Sequence, residues 1–298
     1  MAENRFFRGH RRKGSYDLFS SYNHYTPGFG GMFFILVLWL GGSMLAAYAL
    51  KWLATLIGTE DMMRYGMLIS LPLSYIPVMI YLSAKSRVMD HGGPGIRLDS
   101  NNFGTLGGFK TSLIAIVTML AAAFVIEPVV LLLPEMSPDF KMQMELVTKF
   151  PPLWVSFIST CIFAPFFEEW MCRGMILRGL LQKYHPAVAI SVSAAFFGLI
   201  HANIWQAVPA FLLALVIGYV YYKTGSLKLA ILMHSANNAL ALALSQIPQV
   251  SEATTTMDLM STWGYIGVYA CLALALAAGL VIFGSLPERD GIKEPIQE

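Results

Sequence analysis

Apolar residues run along this chain in long blocks, and the charged residues gather between the blocks. Eight blocks come near the roughly 20 residues that a helix needs to cross a bilayer. They lie at about 31–57, 63–84, 111–134, 152–182, 187–203, 205–223, 227–246 and 262–285. The pattern predicts an all-α, polytopic membrane protein. The fourth block is longer than a bilayer requires. The fifth and sixth are joined so tightly, around Asn203-Ile204, that they should form an antiparallel hairpin. Between blocks, 85–110 carries Gly92-Gly93-Pro94-Gly95 and reads as a polar loop. The stretch 135–151, opening Glu135-Met136-Ser137-Pro138-Asp139-Phe140, reads as an amphipathic piece at the interface. The chain thus divides into a basic tail (1–30), a transmembrane domain (31–285) and a short second tail (286–298).

Composition agrees with this reading. The chain is 56% hydrophobic and only 13% charged, too apolar for a soluble domain. Where the charges fall sets the orientation, because lysine and arginine favour the cytoplasmic side. With the N-terminus inside, sixteen of the twenty lysines and arginines fall in inside regions or at inner helix ends. Only Lys51, Arg64, Lys141 and Lys149 fall outside. The expected topology is therefore N-in and C-in. The basic, aromatic stretch with Arg5, Arg8, Arg11, Arg12 and Lys13 suits anionic lipid headgroups. Nothing else in the chain supports a nucleic-acid partner. That stretch is followed by polar and aromatic residues and then by a run too long for a signal peptide. No organelle address is visible, so the plasma membrane is the expected location. Cys161, Cys172 and Cys271 all fall in apolar runs and have no CxxC spacing, which argues against a disulfide framework or a thiolate metal site.

The chemistry is concentrated in the fourth, fifth and seventh blocks. Glu168, Glu169 and Arg173 stand in the middle of the fourth. An ionisable residue at that depth is a functional-site candidate by default. Glu169 and Arg173, four apart on one helix face, can pair and hold each other ionised. Glu168, about 100° further round, is left to face another neighbour. The alternative is a purely structural ion network that includes Glu168. In the fifth block Phe197 and His201 share a face. Taken alone, His201 also suits a core histidine bonded to a nearby carbonyl. Glu168 and His201 both lie about 22 Å from the turn at Lys183-Tyr184-His185-Pro186, so a hairpin would set them level. In the seventh block His234 and Asn238 share a face, with His234 only about 10 Å above the inner end, so to meet Glu168 and His201 the turn at 183–186 must project beyond the membrane, which places the site in the cytoplasmic half.

Glutamate with histidine can hold and deprotonate a water. Histidine and asparagine donors can stabilise an oxyanion. The set predicts a hydrolase acting inside a membrane, with amide hydrolysis the natural reaction. Glu168, His201 and His234 could also hold zinc, although no HExxH is present. A proton-coupled transporter would suit Glu and His relays, but no inverted repeat is visible. A haem-binding bundle would leave the two glutamates unexplained.

Three motifs then carry a resemblance. Glu168-Glu169-Trp170-Met171-Cys172-Arg173, Phe197-Gly198-Leu199-Ile200-His201 and His234-Ser235-Ala236-Asn237-Asn238 occur in order on successive apolar segments. The region of about 150–245 resembles the CPBP family, the CAAX protease and bacteriocin-processing group of intramembrane proteases. The resemblance implies that Glu168 is the general base, helped by His201. It implies that His234 and Asn238 are oxyanion donors, with Glu169 and Arg173 as support. The family is commonly labelled metalloprotease, while the water-activating mechanism needs no metal. It implies a membrane-associated protein or peptide substrate, lipidated in some members. A non-enzymatic peptide-binding or immunity protein is the alternative within the family. Cys172 departs from the aromatic or larger apolar residue that many members have before the arginine, a difference of packing. Of the remaining intramembrane polar residues, Glu127 beside Pro128 is expected in a kinked helix, near the interface or bonded to a neighbour. Asn203 and Asn237 are expected to hydrogen-bond between helices.

Overall fold

The computed structural model describes residues 19–93, 95–252 and 255–287. Arg5, Arg8, Arg11, Arg12 and Lys13, and most of the two predicted tails, lie outside the described residues. Among the described residues all regular structure is helical. The main helices are α1 (Phe29–Ile57), α2 (Met67–Val88), α3 (Gly107–Val125), α4 (Pro138–Thr148), α5 (Leu153–Leu180), α6 (Pro186–Leu199), α7 (Ile204–Thr224), α8 (Leu227–Ser245) and α9 (Thr262–Gly284).

The expectation was eight spans. Six described helices are long and apolar enough to cross a membrane, and a seventh counts only if α4 and α5, bent by 101°, make one broken span. The fifth predicted block falls short. As α6 it has 14 residues, a rise of about 21 Å against a hydrocarbon core of about 30 Å. Its end is local chemistry. Ala202 takes a left-handed backbone (φ 56°), and the Asn203 side chain accepts from Gln206 N at 2.8 Å, capping α7. Asn203 is therefore a cap and not the interhelical bridge expected. The α6–α7 hairpin itself forms as expected. A Cβ on Gly198 would come within 2.9 Å of the Ala207 carbonyl, so glycine permits the close approach. The third block breaks at Ile126, and a short turn restarts at Glu127–Val130. Glu127 accepts from Thr256 N at 2.8 Å and from the Thr256 hydroxyl, so it is bonded to a neighbour as expected.

Helix α5 is the axis of the bundle. Every residue from Trp170 to Leu177 is buried, and α2, α6 and α8 all pack on it. Helix α1 lies on α2, and α9 lies on α3. These outer helices leave Phe33, Met44, Tyr48 and Trp52 of α1, and Trp263, Leu274 and Val281 of α9, exposed. In a helix whose backbone is internally satisfied, such a surface belongs against lipid.

One end of the bundle is tied by polar contacts between segments far apart in sequence. Buried Arg178 donates to the carbonyls of Gly174 (2.8 Å), Tyr25 (2.7 Å), Tyr22 (3.0 Å), Asn23 (3.3 Å) and Ile96. Tyr221 donates to the Leu98 carbonyl at 2.8 Å. Asp99 accepts from Ser226 Oγ and Lys228 N, both at 3.2 Å, and pairs with Lys228 Nζ at 2.9 Å. Its charge sits at the start of α8, where the helix dipole favours an anion. Asn102 Nδ2 donates to the carbonyls of Lys223 (2.9 Å) and Pro287 (2.8 Å). The start of α8, which carries His234 two turns later, is thereby fixed.

Candidate active site

Helix α5 is not a regular α-helix. It winds as a π-helix over Phe157–Phe163 and again over Trp170–Leu177. Ala164 N bonds the Ser159 carbonyl, and Arg178 N bonds the Arg173 carbonyl, each five residues back. Such turns are frequent at functional sites. The α-helical piece between them, Ala164–Glu169, ends on the two glutamates.

Glu169 is fully buried and has two partners on one oxygen. Oε1 accepts from Arg173 Nη1 at 2.9 Å and from His234 Nδ1 at 2.9 Å. Arg173 Nη2 donates further to the Ala214 carbonyl of α7 at 3.1 Å. The expected Glu169–Arg173 pair is present, and it extends to α8 through His234. The Arg173 guanidinium also lies 4.8 Å from the centroid of the Phe197 ring. That ring stands edge-on to His201 (5.0 Å) and to His234 (5.6 Å). Phe197 therefore touches a group from each of the three motifs.

Glu168 takes the separate position predicted for it. Its side chain keeps 18% exposure where Glu169 keeps none, and its Oε2 lies 3.9 Å from His234 Nε2. The charges that act on it are those of His234, His201, Glu169 and Arg173. The preceding Phe167 is stacked on Tyr75 of α2 at 5.1 Å, which holds this part of α5 against α2. His201 Nδ1 lies 2.8 Å from the Phe197 carbonyl. A carbonyl only accepts, so Nδ1 carries the hydrogen, and in the neutral ring Nε2 is the acceptor. The bland and the chemical readings of His201 thus use different nitrogens.

Asn238 is gripped at both ends of its amide. Nδ2 donates to the Thr160 carbonyl of α5 at 2.8 Å, and Oδ1 accepts from Asn237 Nδ2 at 3.1 Å. Asn237 thus bonds its own neighbour and not another helix. The three motifs converge as the sequence implied. The Thr160 carbonyl and the bridging part played by the Phe197 ring were not foreseen, because neither a main-chain acceptor nor a ring contact leaves a signal in residue spacing.

The donor set does not fit a metal ion as arranged. Among the described residues no group of three or more His, Cys, Asp or Glu side chains could hold one. Glu168, His201 and His234 come from three helices and do not form such a group.

Fold and site together define a multi-pass helical membrane protein with a buried Glu169, Arg173 and His234 cluster beside the partly buried Glu168 and Asn238. Residues 150–240 match the family model described as Type II CAAX prenyl endopeptidase Rce1-like, which is consistent with a CPBP family intramembrane protease. All three motifs fall inside the matched stretch, so the resemblance they carry is borne out. Neither a curated protein nor a solved structure matches the chain.

Proposed function

We propose that this protein is an intramembrane endopeptidase of the CAAX-protease type. It hydrolyses a peptide bond of a membrane-associated or lipidated protein or peptide. The observation that carries the reading is the division of labour between adjacent carboxylates. Glu169 is committed to Arg173 and His234, while Glu168 stands partly open with His234 and His201 around it. Glu168 takes a proton from water, and His201 Nε2 accepts a hydrogen bond from the same water. The hydroxide adds to the scissile carbonyl, and as the tetrahedral intermediate collapses the C–N bond breaks and the proton held by Glu168 passes to the leaving amine. The Asn238 amide offers its second Nδ2 hydrogen to the developing oxyanion, and His234 joins it as the doubly protonated ring, donating from Nδ1 to Glu169 and from Nε2 to the oxyanion. Glu169 and Arg173 act as positioning residues that hold His234. The bundle lies in the plasma membrane with both termini cytoplasmic, and water and substrate reach the site from that side.

Glu168→Gln tests this. The amide keeps the shape and loses the base. Cleavage of a quenched fluorogenic lipidated peptide should fall by about 10²-fold or more, with the folded protein recovered in normal yield. Undiminished cleavage would remove Glu168 from the mechanism. If the wild-type protein binds such peptides without cutting them, the non-enzymatic reading takes its place.

A further inference from the structure

The Thr160 carbonyl is open to Asn238 because of what stands five residues later. In an α-helix this carbonyl would accept from the N–H of residue 164. Here Ala164 N bonds Ser159 instead. In the π register the donor would be residue 165, and that residue is Pro165, which has no N–H. Neither helical register supplies Thr160 with a main-chain donor. The Asn238 amide takes the place of that donor at 2.8 Å.

We infer that Pro165 is a positioning residue for Asn238: by withholding an N–H, it keeps the Thr160 carbonyl turned toward α8. This rests on the proposed role of Asn238 as an oxyanion donor. An alanine at this position would bring a buried N–H that must find a partner. In the π register the acceptor is Thr160, and bonding it would turn that carbonyl along the helix axis. Asn238 would then keep only the bond from Asn237 to its Oδ1. Its amide could rotate, and its second Nδ2 hydrogen would lose its fixed direction. Pro165 itself is buried within α5. The proline also suits the π turn itself. In an α register its ring would clash with the carbonyl four residues back, that of Cys161.

The test separates the missing N–H from the proline ring. Three variants are compared with the wild type in kcat, KM and thermal midpoint: Pro165→Ala, a backbone ester in which an α-hydroxy acid replaces Pro165, and Asn238→Ala, with the double variant Pro165→Ala/Asn238→Ala. The probe is a quenched fluorogenic farnesylated peptide. The ester lacks both the ring and the N–H. Pro165→Ala should lower kcat by about tenfold or more, toward the effect of losing an oxyanion donor, with KM little changed and the thermal midpoint no lower. The ester should recover most of the activity. The double variant should be no slower than Asn238→Ala alone, since coupled residues are not additive. Equal behaviour of the alanine and ester variants, or multiplicative losses in the double variant, would overturn the inference. Thermal midpoints give a reading independent of catalysis. Asn238→Ala should cost stability beside Pro165 and much less in the Pro165→Ala background, and additive costs would also overturn it. If Asn238→Ala keeps full activity, the oxyanion role fails, while the stability cycle still decides whether Pro165 and Asn238 are coupled.

Discussion

Glu169 Oε1 and His234 Nδ1 lie 2.9 Å apart across two helices, and the same oxygen is 2.9 Å from Arg173. One buried carboxylate therefore sets the orientation of a ring 65 positions away. Glu169→Ala leaves the Arg173 charge buried without its carboxylate partner. Breaking a buried pair from one side costs about 3–5 kcal/mol, so Glu169→Ala should unfold at clearly lower denaturant in detergent micelles. Arg173→Ala should do the same. An unchanged midpoint for Arg173→Ala would show that the pair does not support the fold.

Phe197 is the ring on which Arg173, His201 and His234 all lean. Phe197→Leu keeps an apolar side chain and removes the aromatic face. The cation–π contact is worth about 0.5–2 kcal/mol, more when desolvated, so a moderate stability loss is expected. The kinetic effect should be larger, since two histidines lose their common edge contact. Comparing kcat with the thermal midpoint checks this. A kcat loss no greater than the unfolded fraction would reduce Phe197 to packing.

Among the described residues Arg178 donates to the main-chain carbonyls of Gly174, Ile96, Tyr22, Asn23 and Tyr25, the last three in the segment before α1. Hydrogen bonds to a charged group contribute about 1.5–3 kcal/mol each. Arg178→Lys keeps the charge but loses the planar fork of donors. The variant should expose the segment around residues 19–27 to limited proteolysis well before the rest of the chain is cut. Equal protease resistance in variant and wild type would contradict that role.

Metal removal gives a fourth outcome. Because no ligand group of three converges among the described residues, protein washed with chelator and shown free of zinc should cleave as fast as untreated protein. Activity lost on chelation and restored by stoichiometric zinc would show that Glu168, His201 and His234 rearrange around an ion.

Much of this was legible in the chain. The charges of Glu168, Glu169 and Arg173 betray themselves because lipid makes them costly. The motif order gave the three helices that meet. Span counting went less well, because an apolar run reports burial as readily as crossing. The run at 187–203 is apolar since it packs on α5, and Ala202 and Asn203 end its helix early. The asparagines misled for a related reason. Asn203 and Asn237 bond within a few residues of themselves, and composition cannot separate a local cap from a bridge. The π turns of α5 were hidden too, since the residues that form them read as ordinary helix.

The Arg178 contacts also bear on how the protein is made. The bonded pair Arg178 and Tyr22 is separated by 156 positions. At about 5–20 residues per second, the ribosome needs roughly 8–30 s to travel that distance. Throughout that interval the Arg178 guanidinium is not yet there to hold residues 22–25. Residues 22–25 are thus made well before the side chain that holds them, and their docking records that α5 has arrived.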